Sequence, residues 1–405
     1  MSTHNNKIGL IGFGVVGQGF YSYLEDNKEE KWLPTIAIKD ADKERIQVKS
    51  KYTTDVNSIL KDDTIDTVVE LISDDKKAFD MVADALKKGK NVISANKKMI
   101  ANNLDKLVTI ESKSKGRFLY EGAVCGSIPI IRTLNDYYSL DHVTEIQGIF
   151  NGSTNYILTQ IFKDNASYQD SLEKAQKLGF AEADPTSDVS GSDALYKLLI
   201  LTTHAFGKFI APQKALKIGI QNISNDDIVF AQENGLKIKL IASVKSGNNK
   251  LTLSVLPTFV SNESVFYNVD NEFNAVEITS DNIGKQTLIG KGAGSLPTGQ
   301  VIYSDYKAPE NYRYKYNQIL SGKRLKYETN ELIWIYSDKI TRFEKYIEEV
   351  VIMNRSQGYA KISMADLIKI QDEVEQKGLS VIAVTDEILK QLNKKYEYNY
   401  ALQFA

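Results

Sequence analysis

A glycine-rich turn near the N-terminus constrains the fold more than any other feature of this sequence. Residues 7–12 are apolar enough for a short buried strand, and apolar residues at helical spacing follow Gly14. The turn between them reads Gly12-Phe13-Gly14-Val15-Val16-Gly17. This glycine spacing also occurs in ordinary tight turns. Between a strand and a helix, however, it favours a dinucleotide site, where successive glycines make the turn, admit a pyrophosphate and let the helix pack on the strand.

Strands alternate with helices through the first 130 residues, with further strands predicted near residues 35–38, 66–72 and 91–95. This order predicts an α/β fold with a Rossmann-like, doubly wound parallel sheet and a ligand at the carboxyl ends of its strands. A second glycine cluster near residue 292 precedes another apolar run, so we expect residues 286–308 to return to the domain formed by residues 1–130. Longer helices and alternating strands predict an α+β catalytic and dimerisation domain over 131–285, and 309–405 form a small third α+β domain.

Composition excludes several classes of function. Lys and Arg number 50 against 52 Asp and Glu, a formal net charge of -2, so nucleic acid is not an expected partner. The single cysteine, Cys125, excludes an intrachain disulfide and favours a reducing, cytoplasmic setting. No segment approaches the roughly 18 apolar residues of a membrane helix, so no membrane partner is expected. The three histidines are too scattered to predict a zinc or iron site.

The end of the second strand bears on the choice of cofactor. Many dinucleotide-binding domains place an acidic residue there to bind a ribose 2′-hydroxyl. Here Lys39 precedes Asp40, and Lys43 and Arg45 follow. These cations favour NADP over NAD, although a solvated turn of mixed charge is the alternative.

An acid-rich loop over residues 179–191 leads into a helix that begins near Asp193. Asp193 and Lys197 are four residues apart, so they share one helix face, which continues with Ile200 and Leu201. A lysine in apolar surroundings needs a partner, and its pKa becomes tunable towards proton transfer. The alternative is an exposed ion pair worth only about 0.3 to 0.5 kcal/mol. We favour the catalytic interpretation.

The same segment resembles the signature of the homoserine dehydrogenase family. The matching positions are Ala175, Gly179-Phe180, Asp184-Pro185, Asp188-Val189, Gly191, Asp193 and Lys197. Further family-like segments occur in order at residues 94–98, 121–129, 148–156 and 290–298. The resemblance spans about residues 7–306. It implies reversible reduction of L-aspartate 4-semialdehyde to L-homoserine with NAD(P)H, a step towards threonine, methionine and isoleucine.

The resemblance also implies roles for individual residues. Lys197 resembles the proton donor, Asp193 and Glu182 resemble the groups that hold the substrate, and Lys97 resembles the second active-site lysine beside the nicotinamide. Further cofactor-binding positions implied in this way are Ser73, Gly179 and Gly292. Glu121 and the backbone carbonyls of Val124, Gly126 and Ile128 resemble the ligands of a monovalent cation, usually sodium. From the residues alone, this last stretch is a strand followed by a proline turn, with Cys125 as a small buried hydrophobe.

Many bacterial relatives carry a C-terminal ACT domain that senses threonine. Residues 331–338 and 379–384 are predicted strands and 342–349 a predicted helix of an ACT-like domain, but the usual Pro-Gly turn is replaced by Lys339-Ile340-Thr341. A regulatory domain and an oligomerising extension therefore both stay open. The family is usually at least dimeric, so we expect a homo-oligomer. A dinucleotide sensor without catalysis and another amino-acid dehydrogenase are rival functions, and the presence of Lys97, Asp193 and Lys197 argues against the sensor.

Overall fold

The structure is a computed structural model that describes residues 7–164, 166–316, 325–354 and 356–403. The chain divides into two compact units. The first unit comprises the described residues within 1–140, 199–209 and 290–323, and the second those within 141–198, 210–289 and 324–405. The C-terminal segment thus groups with the central one, and the division into three domains stays a prediction.

The strands of the described residues are short in the first part of the chain and longer in the middle. They are β1 Ile8–Ile11, β2 Thr35–Ala37, β3 Lys51–Thr53, β4 Thr67–Glu70, β5 Asn91–Ser94, β6 Phe118–Leu119, β7 Val143–Ile149, β8 Leu216–Lys217, β9 Lys237–Gly247, β10 Lys250–Val260, β11 Phe273–Ser280, β12 Gly284–Lys291, β13 Lys326–Tyr327, β14 Leu332–Ser337, β15 Ile347–Asn354, β16 Gln357–Ser363 and β17 Ile382–Val384. The helices are α1 Val15–Asp26, α2 Asn57–Leu60, α3 Asp75–Lys87, α4 Lys97–Glu111, α5 Ile130–Arg132, α6 Gly152–Asp164, α7 Tyr168–Lys177, α8 Thr186–Val189, α9 Ser192–Phe206, α10 Asn225–Glu233, α11 Ser295–Tyr306, α12 Met364–Gln376 and α13 Asp386–Gln403.

The first unit contains a parallel sheet in the order β3-β2-β1-β4-β5-β6. The order reverses between β1 and β4, which is the switch point where a doubly wound sheet binds its ligand. Buried aliphatic residues such as Leu10, Val69 and Ile93 fill the strands, as expected when helices cover a parallel sheet. The predicted Rossmann-like sheet is confirmed.

Helix α11 returns the chain to the first unit by packing closely on α1. A Cβ on Gly19 would lie 2.0 Å from the carbonyl oxygen of Ser295, and a Cβ on Gly299 would lie 2.4 Å from the carbonyl carbon of Gly19. Glycine is therefore required on both helices at this crossing, because any side chain would force them apart. The second glycine cluster of the sequence lies just before α11.

The second unit is built on a mixed sheet in the order β12-β11-β7-β9-β10-β17-β14-β16-β15. The C-terminal strands continue this sheet, since β17 pairs with β10 at Ala383 and Thr258. They also share its core: Leu216 and Leu256 from the central segment pack in one hydrophobic cluster with Ile335 and Leu367 from the C-terminal segment. Within the part of the chain that the structure describes, no helix is both long and apolar enough to cross a bilayer.

Candidate active site

The glycine turn of the first unit excludes side chains at two positions and leaves open space at a third. Gly12 has a φ of +98°, and a Cβ there would lie 2.6 Å from the carbonyl oxygen of Leu71. A Cβ on Gly17 would lie 2.6 Å from the carbonyl oxygen of Gly12. A Cβ on Gly14 would meet no atom within 4 Å. The turn therefore has the room that a pyrophosphate needs for close approach to the backbone.

The N-terminus of α1 is suited to an anion. Gly14 is its N-cap and provides no side-chain cap, and the first turn carries no acidic residue. Its first N–H groups and the helix dipole are thus available to phosphate oxygens. Val15 is exposed and Val16 partly buried, whereas Phe13 is buried edge-on against Tyr21 with 6.0 Å between ring centroids. Phe13 thus contributes its backbone to the turn and its side chain to the core. This arrangement fits a nicotinamide dinucleotide.

The other predicted cofactor residues of this unit follow β2, β4 and β5. Lys39 and Ser73 are exposed in the loops after β2 and β4. Asn96 caps α4 by accepting from the backbone N–H of Met99 at 3.0 Å, and its side-chain amide donates to the Ile72 carbonyl at 2.9 Å. Lys97 is the first residue of α4, so this cap fixes the position of the Lys97 backbone.

Glu121 is a buried carboxylate in the first unit, 2% exposed. It accepts from the backbone N–H groups of Ile131 at 2.8 Å and Arg132 at 2.9 Å. The Arg132 guanidinium binds Asp305 at 2.6 Å, and Asp305 accepts from the Glu121 N–H at 3.0 Å. Burial, together with the nearby Asp305 charge, raises the pKa of Glu121 to about 8. Sequence reasoning missed Arg132 and Asp305, because they reach this cluster from separate segments.

The loop after Glu121 turns sharply and lies against the second glycine cluster. Cys125 and Gly126 have φ values of +54° and +56°, and Cys125 is buried. The backbone N–H of Ser127 donates to the Lys291 carbonyl at 3.0 Å. A Cβ on Gly126 would lie 2.6 Å from the Gly292 carbonyl oxygen. The structure thus brings Gly292 beside the predicted cation loop.

In the second unit, Asp193 and Lys197 form a buried ion pair at the start of α9. Lys197 Nζ lies 2.7 Å from an Asp193 carboxylate oxygen and donates at 2.7 Å to the Phe150 carbonyl. Lys197 is 7% exposed and Asp193 2% exposed. Leu195, Leu198, Leu199, Ile200 and Leu201 bury the rest of the helix, as its sequence pattern predicted. The exposed ion pair considered as an alternative is therefore wrong.

Three residues that sequence reasoning did not select complete this network. The Asn151 side-chain amide donates to Asp188 at 2.7 Å and to Asp193 at 2.8 Å. Asn274 of β11 donates at 3.1 Å to the same Phe150 carbonyl that binds Lys197. Asn151 and Asp188 both lie within the family-like motifs, and this position in the sequence could have identified them. Asn274 has no such signal, because only the folded sheet brings it to Phe150.

Gly179 and Glu182 lie in a loop attached to the same end of α6 as this network. Gly179 follows α7 with a φ of +78°, and a Cβ on it would meet no atom within 4 Å. Ser153, two residues after Asn151 in the chain, donates to the Phe180 carbonyl at 2.5 Å. Glu182 is exposed, while its backbone carbonyl accepts from Gln176 at 3.1 Å. The loop is thus held by its backbone, and the Glu182 carboxylate is available to solvent.

Comparison with known proteins agrees with this geometry. The homoserine dehydrogenase family model matches residues 129–306, and the model of the homoserine dehydrogenase NAD-binding domain matches residues 12–121. The homoserine dehydrogenase of Bacillus subtilis is 36% identical over 313 residues, which are 75% of this chain and 72% of that protein. That of Helicobacter pylori is 37% identical over 307 residues, 74% of this chain and 72% of that protein.

Solved structures extend the similarity to the C-terminal segment. A homoserine dehydrogenase from Thiobacillus denitrificans matches with a TM-score of 0.79 and 28% identity over 94% of this chain and 98% of that chain. A hyperthermophilic archaeal homoserine dehydrogenase in complex with NADPH matches with a TM-score of 0.62 and 25% identity over 74% of this chain and 96% of that chain. The chain belongs to the homoserine dehydrogenase family, and is an NAD(P)-dependent oxidoreductase acting on a CH–OH group.

Proposed function

We propose that this chain reduces L-aspartate 4-semialdehyde to L-homoserine reversibly, with NADP(H) preferred over NAD(H) and with Lys197 as the proton donor. The observation that carries the proposal is the buried Asp193–Lys197 pair, with 2.7 Å between Nζ and the carboxylate. Burying a charged side chain costs free energy, and buried ionisable pairs are therefore found most often at functional sites. The product places the enzyme on the route to threonine, methionine and isoleucine.

Lys197 has hydrogen-bonding capacity left for a substrate. An ammonium group has three N–H donors, and two of those on Lys197 bind Asp193 and the Phe150 carbonyl. Among the described residues, no third acceptor forms a hydrogen bond with Lys197 Nζ. We assign the third donor to the aldehyde oxygen, where the lysine charge stabilises the developing alkoxide before its proton is transferred. Bound nicotinamide supplies the hydride.

The remaining residues hold the reactants in place. Asp193 orients the Lys197 ammonium group, and the exposed Glu182 carboxylate binds the substrate ammonium group, for which a carboxylate is a strong partner. Lys97 is fixed at the start of α4 by the Asn96 cap. We assign it to the nicotinamide, because it resembles the family's second active-site lysine. Lys39, exposed after β2, binds the 2′-phosphate of NADP, and the NADPH in the archaeal relative's structure supports that preference.

A monovalent cation, Na+, fits the loop after Glu121. The donors would be a carboxylate and the carbonyls of Val124, Gly126 and Ile128, hard oxygen ligands of the kind that alkali cations prefer over sulfur or imidazole. Two buried carboxylates, those of Glu121 and Asp305, lie beside the loop with Arg132 as their ion-pair partner. A cation there would hold the turn that contacts residues 291–292.

The C-terminal segment is ACT-like in its connections. Its four strands lie side by side in the order β17-β14-β16-β15, so the fourth strand along the chain is followed across the sheet by the first, the third and the second. Helix α12 connects β16 to β17. That arrangement supports a βαββαβ-type domain serving regulation or oligomerisation. We further propose a cytoplasmic homo-oligomer.

One assay tests the central proposal. The purified full chain is mixed with L-homoserine and either NADP+ or NAD+, and the absorbance of the reduced cofactor is followed. We expect homoserine-dependent reduction with both, and a higher kcat/KM for NADP+. Binding of either cofactor without homoserine-dependent turnover would instead support the rival function of a dinucleotide sensor.

A further inference from the structure

A buried carboxylate at the carboxyl end of β4 has no part in the mechanism above. Glu70 is 0% exposed and is the last residue of β4. In the sheet register it lies between Ile11 of β1 and Ser94 of β5. Glu70 therefore lies directly beneath the loops that begin at Gly12, Leu71 and Ala95.

The hydrogen bonds that the described residues make to this carboxylate come from neutral groups, the Asn96 side chain among them. One oxygen accepts from the Ile72 backbone N–H at 2.7 Å, and the other accepts from the Ser94 hydroxyl at 2.6 Å. The Ser94 oxygen in turn accepts from the Asn96 backbone N–H at 3.0 Å. This chain of donors is satisfied when Glu70 is ionised, because the Ser94 hydroxyl then donates its hydrogen bond to Glu70 while its oxygen accepts from the Asn96 N–H.

Among the described residues, Glu70 itself has no ion-pair partner. Strands β1 and β5 carry no charged residue, and Asp75 at the start of α3 pairs with Lys98 of α4 at 3.1 Å. The other charged residues near these elements are Asp74, Lys76, Lys77, Asp80, Asp84, Lys87 and Lys97. The pKa of Glu70 is set by burial and by hydrogen bonds from Ser94, Ile72 and Asn96, and within the described part of the chain no charged side chain is among its causes. Burial raises the pKa of Glu70 to about 7, so a modest nearby charge changes its ionisation near neutral pH.

The missing positive charge is one that the cofactor carries in only one redox state. This step rests on the proposed function. A dinucleotide bound at the glycine turn would have its adenosine half over β2 and its nicotinamide half over β4 and β5. The oxidised nicotinamide ring is a cation, and the reduced ring is neutral. We propose that Glu70 is the buried counter-charge that makes this site bind the oxidised cofactor in preference to the reduced one.

The proposal has a linked proton. A cation over Glu70 stabilises its ionised form, so binding of NADP+ near neutral pH releases part of a proton, and affinity for NADP+ rises with pH until Glu70 is fully ionised. NADPH binding releases none through this group. The 2′-phosphate is common to both forms, so its own titration cancels in the comparison.

Isothermal titration calorimetry on the full chain at pH 6 to 8 measures the affinity for NADP+ and for NADPH. Repeating each titration in two buffers of different ionisation enthalpy gives the number of protons released on binding. Glu70→Gln keeps the shape and a hydrogen-bonding group. It should weaken the binding of NADP+ roughly tenfold and the binding of NADPH less than twofold, as expected for one charge acting across a partly polar medium.

The matched control is Glu111→Gln. Glu111 is also buried with its pKa raised to about 7, but it lies at the far end of α4, about 21 Å from Lys97 at 1.5 Å per residue.

The expected result is proton release by the wild-type chain with NADP+ in excess of that with NADPH, lost in Glu70→Gln and kept in Glu111→Gln. Equal weakening of both cofactor forms in Glu70→Gln would overturn the proposal and leave Glu70 a structural group. Equal proton release with both forms in the wild type would also overturn it, even where the variant fails to fold. If neither form binds, the cofactor assignment itself falls as well.

Discussion

The side-chain nitrogen of Asn151 lies 2.8 Å from the Asp193 carboxylate that binds Lys197. The same nitrogen donates to Asp188 at 2.7 Å, so one amide holds two carboxylates in place. Its oxygen accepts from the Thr154 backbone N–H at 2.8 Å, which fixes the amide at the start of α6. Asn151 therefore determines where Asp193 lies, and through Asp193 where the Lys197 ammonium group lies.

Asn151→Ala should lower kcat by roughly 10- to 100-fold, the effect of losing a hydrogen bond to a charged group. Asp193 loses a donor that favours its ionised form, so the acidic limb of the kcat–pH profile should move to higher pH. Steady-state kinetics from pH 6 to 9 measure both, and circular dichroism checks the fold. An unchanged pH profile with lower kcat would reduce Asn151 to a structural role.

Lys197→Ala should lower kcat by at least about 100-fold, because it removes both the proton donor and the charge that stabilises the alkoxide. The dissociation constant of NADPH should stay within about twofold, since the predicted cofactor contacts of Lys97 and the glycine turn are kept. Single-turnover kinetics and cofactor titration separate the two effects. Lys214→Ala, an exposed lysine of the same unit, is the control and should turn over normally. Near-normal turnover of Lys197→Ala would contradict its assignment.

Replacing NaCl by choline chloride at equal ionic strength should lower the melting temperature by ~2 to 4 °C, because a cation bound only to the folded chain stabilises it. Glu121→Gln should melt at the same temperature in both salts. Differential scanning fluorimetry makes the comparison. An identical response to the two salts in the wild-type chain would remove the sodium site from the proposal.

His204 predicts a pH dependence of stability. Its side chain is only partly exposed, with Nε2 2.9 Å from the Tyr120 hydroxyl, and desolvation of the ring lowers its pKa from 6.5 to about 3. Between these pH values the unfolded chain binds a proton that the folded chain does not, so stability falls as pH falls below 6.5. One such group contributes about 2 kcal/mol between pH 6.5 and 5. Urea unfolding should show a drop smaller by about that amount in His204→Phe, and an equal drop in both chains would count against it.

Local patterns predicted the parts of the site that lie close together in sequence. The glycine turn needs only a strand, a left-handed backbone at Gly12 and a helix, and the Asp193–Lys197 pair needs only one helical turn. Asn274 and Asp305 could not be found in this way, since sheet pairing and helix return bring them to the site from more than 100 residues away. These contacts depend on long-range packing, which no local period encodes.

The C-terminal segment shows how a local prediction fails. Residues 342–349 are predicted to be helical, but the structure has a 3-10 helix over Ile340–Tyr346 and then β15. The β-branched residues Ile347, Val350 and Val351 favour a strand, and pairing with β16 realises that preference. The helical prediction is therefore wrong from residue 347 onwards.

The shared core of the second unit determines how a signal from the C-terminal segment would reach the rest of that unit. Because β17 is hydrogen-bonded directly to β10, the segment is not an accessory that can be removed without consequence. Cutting the chain near residue 324 would expose Leu216 and Leu256 to water and leave the edge of β10 open to aggregation. Any effector that shifts β17 would act on the central sheet through its own backbone hydrogen bonds, without a flexible linker in between.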